Sequence, residues 1–248
     1  MSDRSWRVQA RNTAADSENK IHDDRVAAAY GFRGGLVPGV TVYGYMVPAM
    51  IHALGRAWLE RGTVQVRFHA PIYEDEWVVT RYVHEGDRVK VTAERDDGTV
   101  CAAATAALEG AGEFTEYRDC PAPSHDDRPK ASAESLAPGT PLGSMTSVLQ
   151  ITGAEAAPEA LLWMANQILV QNFRLNPWIH TESHVRHFNT ADPGETVTVR
   201  GVMTDAFERK GRTFAVAALA MSGREGRPLA QVRHTFIYGL KPNAQLQH

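Results

Sequence analysis

The residues best suited to chemistry lie in one segment near the start of the chain, SENKIHDDRVAAAYGFRGGLVPG, residues 17–39. It contains His22, whose imidazole can transfer protons near neutral pH, and glycines that let a ligand approach the backbone. The same residues also have structural explanations. Ser17 or Asn19 could cap a helix that begins near Lys20, and the glycines could form only a turn.

The elements around this segment form a weak internal repeat. Residues 65–68 (QVRF) match residues 184–188 (HVRHF), and the same ungapped register aligns Gly39 with Pro158. In each copy an apolar helical stretch precedes alternating strands joined by turn signals such as DDG and SGREG. A long apolar helix wrapped by an antiparallel sheet, present twice, predicts an α+β double hotdog fold. The alternative is two unrelated α+β domains.

A polar stretch separates the two copies. Residues 120–143, CPAPSHDDRPKASAESLAPGTPLG, are rich in Pro, Ser, Ala and charge and have no apolar period, which is typical of a linker. We therefore predict an N-terminal repeat over residues 1–119 that carries the candidate site, a linker over 120–143, and a C-terminal repeat over 144–248 that lacks it. One chain is then expected to hold one site.

The order of residues within 17–39 resembles the signature of the MaoC-like, R-specific enoyl-CoA hydratase and dehydratase superfamily. That signature runs Asp-x-Asn-Pro-(apolar)-His and later Gly-Phe-x-Gly, before a final His-Gly. The matching residues are Asn19, Ile21, His22, Ala27, Ala28, Gly31, Phe32, Gly34 and Gly39. The sequence departs from the signature at three places, where its Asp falls at Ser17, its Pro at Lys20 and its last His at Pro38.

The resemblance implies a lyase that hydrates 2-enoyl thioesters or dehydrates 3-hydroxyacyl thioesters of the acyl-CoA type. Such a reaction needs no further cofactor and no metal. The implied catalytic residues are His22 as acid and base, Asp16 or Glu18 in place of the missing Asp, and Asn19 to orient water or thioester. The implied substrate-binding residues are Ser17, Gly34, Gly39, Val40 and Tyr43. In that family a backbone N–H at the start of the helix stabilises the charge on the thioester oxygen, and the resemblance implies this role for Gly39.

Two other functions remain open at the level of sequence. Because Ser17 replaces the signature's Asp, the protein could bind an acyl thioester or another hydrophobic ligand without hydrating it. A hotdog thioesterase is the second alternative, although the first half of the first helix, GVTVYGYMVPAMIH, has no carboxylate to direct water. Tyr43 in that helix is equally compatible with a place in the apolar core.

Composition excludes several other classes. The net charge is -3 and charges of both signs are interspersed, so a nucleic-acid-binding patch is not expected. No apolar stretch is long enough to span a bilayer, and the first residues lack the apolar core of a signal peptide. Cys101 and Cys120 indicate no disulfide framework, and neither has metal-ligand spacing. We expect a cytoplasmic protein whose partners are a small acyl thioester and a second copy in a homodimer.

Overall fold

The computed structural model describes residues 4–110 and 112–242. The outer ends of the predicted repeats, residues 1–3 and 243–248, and residue 111 lie outside the described residues. The strands are β1 Trp6–Gln9, β2 Gly62–Phe68, β3 Trp77–Glu85, β4 Arg88–Arg95, β5 Val100–Leu108, β6 Pro141–Val148, β7 Ile179–His187, β8 Thr196–Arg209, β9 Arg212–Ser222 and β10 Pro228–Tyr238. The helices are α1 Asp24–Ala29, α2 Gly39–Leu54, α3 Trp58–Arg61 and α4 Ala157–Asn172.

The described strands form one antiparallel sheet with a palindromic order, β1-β3-β4-β5-β2-β7-β10-β9-β8-β6. Each half contains five strands in the same order from its outer edge, and each half contains one 16-residue helix. At the junction β2 pairs with β7, where Gln65 lies opposite His184. These two residues are also equivalent in the sequence repeat, so a pseudo-two-fold axis passes through their pair.

The two long helices lie together against the sheet. α2 contacts β3, β4 and α4, while α4 contacts β6 and β10. Their apolar side chains form a continuous core in which Tyr43, Met46 and Leu161 are almost completely buried. Burial of this apolar surface is the main force that holds the two halves together.

The stretch between the repeats runs from the end of β5 to the start of β6. It lies against the fold at several points, since Leu136 is fully buried and Arg128 is nearly so. β6 begins at Pro141, so residues 141–143 of the predicted linker are part of the sheet, where Leu142 is buried opposite Gly201. The sequence of β6 has few strand signals, so its place in the sheet is set by its pairing with β8 rather than by local propensity.

Across residues 4–110 and 112–242, no helix combines the length and the apolar character needed to cross a membrane.

Candidate active site

A cavity of about 160 Å³ lies beside the start of α2, between the two repeats. The first repeat contributes residues of the 17–39 segment and of β2, and the second contributes residues of α4, β7 and β10. The polar side chains in its lining are Asn19, His22, His69, Asn166, Thr181, His180 and Arg212. Among the described residues, no aspartate or glutamate lines the cavity.

His22 ends a short 3₁₀ turn, Lys20–His22, and lines this cavity. Its Nδ1 lies 2.7 Å from the carbonyl oxygen of Leu36. Because a carbonyl only accepts, Nδ1 carries the proton and Nε2 keeps its lone pair. Burial lowers the pKa of His22, and the bond to Leu36 opposes this only in part. The imidazole is therefore neutral at pH 7 and can accept a proton through Nε2.

Asn19 links this histidine to the second repeat. Its Nδ2 donates to the carbonyl of Trp178 (3.0 Å), and its Oδ1 accepts from the Trp178 N–H (3.2 Å). This pair of hydrogen bonds to the backbone of Trp178 fixes which end of the Asn19 side-chain amide is nitrogen. Nδ2 also lies 3.2 Å from Nε2 of His22, so its second hydrogen points at the lone pair of the imidazole.

The glycine-rich turn before α2 packs against the backbone of His22. A Cβ on Gly35 would lie 2.1 Å from the carbonyl oxygen of His22, so a side chain there is incompatible with this turn. The Gly35 N–H donates to Asp24 Oδ1 at 2.7 Å. Gly34, an expected substrate-binding residue, lies against Asp24 and Tyr73 and does not line the cavity.

The structure does not bring the two neighbouring carboxylates to His22. Asp16 is exposed, and Glu18 turns away to Arg128 Nη1 (3.0 Å) and His125 Nε2 (3.1 Å). The hydrogen bond from Arg128 is the largest cause that lowers the pKa of Glu18. Ser17 is only partly exposed, but its hydroxyl lies 3.4 Å from the carbonyl of Asn19. None of the three lines the cavity.

The start of α2 forms one wall. Gly39 is the first residue of the helix and lines the cavity; a Cβ there would lie 3.1 Å from Nδ1 of His180 and 3.2 Å from the Phe68 ring. The two other residues of α2 that we expected to bind substrate do not line the cavity. Val40 is buried outside the lining, and Tyr43 is fully buried in the core, where burial raises the pKa of its phenol.

Several lining residues were not predicted from the sequence because they belong to the second repeat. His180 on β7 is buried, and no hydrogen bond to its Nδ1 is found among the described residues. The Oδ1 of Asn166 on α4 is also buried and has no hydrogen-bond partner among the described residues. The sequence signal for His180 is the interrupted alternation in IHTESHVRH, which marks an irregular strand. In the described part of the chain, no group of three histidine, cysteine or acidic residues is placed to hold a metal ion.

No known family model and no curated protein sequence matches the chain. Solved structures do resemble it. A conserved hypothetical protein from Mycobacterium tuberculosis, described as having a double hotdog fold, superposes with a TM-score of 0.63 at 11% identity, over 96% of this chain and 97% of that one. The tesB protein of Mycobacterium avium subspecies paratuberculosis gives 0.61 at 13% identity, over 95% and 93%.

The dehydratase domain of PpsC from Mycobacterium tuberculosis, solved in complex with C12:1-CoA, gives a TM-score of 0.59 at 11% identity, over 94% of this chain and 92% of that one. Likeness at such low identity concerns the fold, because one fold supports many different activities. Together with the wrapped antiparallel sheet and its long helices, it shows that the chain has the hotdog fold.

Proposed function

We propose that the protein binds an acyl thioester in the cavity beside α2 and interconverts 2-enoyl and 3-hydroxyacyl thioesters, with His22 as acid and base. The observation that carries this proposal is the fixed tautomer of His22. Its Nδ1–H is committed to Leu36, so Nε2 is the basic atom, in a cavity that also contains the start of a helix. We propose in addition that this chemistry is of the MaoC-like type and that the fold is a double hotdog.

The reaction balances with one base. Water replaces the Asn19 N–H at the lone pair of His22 Nε2. Nε2 then takes a proton from this water while the water oxygen bonds to the β-carbon of the enoyl group. The electrons of the double bond move onto the thioester oxygen, where backbone N–H groups at the start of α2 stabilise the charge. The protonated His22 then returns its proton to the α-carbon. This assignment uses His22, Asn19 and Gly39 and leaves out Asp16 and Glu18, whose carboxylates lie outside the cavity lining.

The similar structures support a thioester as the ligand. The PpsC domain is a dehydratase domain, and its structure contains C12:1-CoA. The apolar residues of the cavity, among them Phe32, Val42 and Ile72, are suited to an acyl chain. We also propose that two copies of the chain form a homodimer.

The test is the loss of enoyl absorbance when purified protein is mixed with crotonyl-CoA, followed by longer and branched enoyl-CoAs. We expect turnover with the wild-type chain and a loss of about 100-fold or more in His22→Gln. His52→Gln is the matched control, because His52 is exposed on α2 and lies outside the cavity lining. Absence of His22-dependent turnover on every substrate contradicts the proposal.

Thioester hydrolysis is a second candidate, favoured by Asn166. Asn166 lines the cavity from α4, and its buried Oδ1 has no hydrogen-bond partner among the described residues, so this oxygen can orient a water molecule at the thioester carbonyl. The same substrate panel separates the two reactions, since hydrolysis releases free CoA thiol and leaves the double bond intact. Binding with neither product identifies the third possibility, an acyl-thioester-binding protein.

A further inference from the structure

A second histidine reaches the cavity through an irregularity in β7. His180 pairs with Phe236 of β10 and Glu182 pairs with Thr235, which leaves Thr181 as an extra residue on β7. Such a bulge changes the alternation of a strand and re-aims its side chains. As a result His180 and Ser183, three residues apart, are both buried on the same face.

Ser183 connects His180 to a third buried residue. Its Oγ lies 2.8 Å from Nε2 of His180 and 2.9 Å from Nδ1 of His234, its direct partner on β10. The two imidazoles stack with their centroids 4.1 Å apart. Burial holds the pKa of His180 well below its ordinary value, with a further contribution from His234 and a partial opposition from a hydrogen bond with the backbone of Glu182. Burial also lowers the pKa of His234 to about 3. Both rings are neutral.

The hydrogen-bond pattern of this cluster restricts where its protons lie. Ser183 has one hydroxyl proton, which it gives to one imidazole while it accepts an N–H from the other. Only one of the two outer nitrogens, Nδ1 of His180 or Nε2 of His234, can then carry a proton. Among the described residues neither outer nitrogen has a hydrogen-bond partner.

The surroundings decide between the two arrangements. His234 is fully buried and does not line the cavity, so an N–H at its Nε2 meets no partner. His180 lines the cavity, where a ligand can accept its hydrogen bond. A buried donor without a partner carries a desolvation cost, and orphaned N–H groups are rarer than bare acceptors. The proton is therefore expected on Nδ1 of His180.

That atom lies at the start of α2. A Cβ on Gly39 would be 3.1 Å from it, so Nδ1 lies beside the first turn of the helix, and both Gly39 and His180 line the cavity. We propose that neutral His180 donates a hydrogen bond from Nδ1–H to the thioester oxygen, and that Ser183 and His234 are positioning residues that keep it in this tautomer. This inference rests on the proposed function, and it adds a donor from the second repeat to the site formed by the first.

The tautomer is measured directly by long-range ¹H–¹⁵N correlation of the histidine side chains in the full-length protein. We expect the proton of His180 on Nδ1, and a shift toward the Nε2–H form in Ser183→Ala. A wild-type His180 that carries its proton on Nε2 overturns the proposal without any assay of activity.

The second measurement uses acetoacetyl-CoA, whose enolate has its own absorbance band. A donor to the thioester oxygen stabilises the bound enolate, so the wild-type protein should raise the enolate fraction at a fixed pH. We expect His180→Phe to lower this stabilisation at least 10-fold. His187→Phe, which removes another buried imidazole of β7 outside the cavity lining, should keep it.

An enolate signal that is absent in the wild type, or unchanged in His180→Phe, overturns the inference. If His180→Phe does not fold, Ser183→Ala replaces it, with a smaller loss expected. No water adds to the ligand in this measurement, so the enolate fraction can be scored in wild-type protein whether or not that protein hydrates crotonyl-CoA. Failure to hydrate crotonyl-CoA therefore contradicts the proposed function alone.

Discussion

The amide nitrogen of Asn19 lies 3.2 Å from Nε2 of His22, and the same amide is held at both ends by the backbone of Trp178. The proposed base is therefore oriented by a residue that is itself fixed by the other repeat. Any change at Asn19 should act on both the protonation of His22 and the junction of the repeats.

Asn19→Asp should raise the pKa of His22 above its ordinary value of 6.5, because a carboxylate beside Nε2 favours the imidazolium. It should also lower the free energy of unfolding by about 1–3 kcal/mol, since the Trp178 carbonyl loses its donor. NMR titration and urea unfolding measure the two effects. Asn172→Asp is the control, because Asn172 clamps the backbone of Gly143 in the same way outside the cavity lining. A control that also moves the His22 titration contradicts the assignment.

The pH profile of turnover should follow the neutral form of His22. Burial lowers its pKa, so kcat/KM for crotonyl-CoA should rise with pH through a value below 6.5 and stay level above it. Stopped-flow or steady-state rates between pH 4.5 and pH 8 at about constant ionic strength test this expectation. A midpoint clearly above 6.5 argues that another group is the base.

The carboxylates next to the motif provide a separate test. Asp16→Asn and Glu18→Gln should each retain activity within about 2-fold, because neither side chain lines the cavity. Glu18→Gln should lower the free energy of unfolding by about 1 kcal/mol, because the exposed Glu18 carboxylate pairs with the buried Arg128. A loss of activity as large as that of His22→Gln in either variant restores a carboxylate to the mechanism.

Acid should destabilise the fold through buried imidazoles. Burial lowers the pKa of His187 to about 4, so the unfolded chain binds a proton first as the pH falls below 6.5. The stability that neutral His187 contributes is complete above pH 6.5 and is lost as the pH approaches 4. Between pH 7 and pH 5 the wild type should lose about 2 kcal/mol more than His187→Phe. Urea unfolding at the two pH values measures the difference, and equal losses refute it.

A substitution at Gly39 tests whether the ligand binds close to the start of α2. Gly39→Val should reduce kcat/KM at least 10-fold, because its side chain enters the space next to Nδ1 of His180 and the Phe68 ring. Gly110→Val, the same change after β5 with no atom within 4 Å of the added Cβ and outside the cavity lining, should leave kcat/KM unchanged. Equal rates for Gly39→Val and the wild type show that the thioester binds elsewhere.

The sequence by itself determined the two long helices and the central strands of this protein. The ungapped alignment of Gly39 with Pro158 reflects two helices that begin at Gly39 and Ala157. The alternation of residues 65–68 and 184–188 reflects β2 and β7, whose pairing forms the centre of the sheet. These features are readable because apolar periodicity and turn residues act locally along the chain. The position of His22 beside a glycine turn is also a local property.

Only the tertiary structure decided what surrounds His22. The side chain of Glu18 is held by a hydrogen bond from Arg128, a residue 110 positions away. No residue near the motif indicates this partner. The approach of His180 depends on a one-residue bulge in β7, and its contact with Gly39 depends on pairing between the repeats. Hydrogen bonds and burial between distant segments fixed these positions, and no local pattern of residues encodes them.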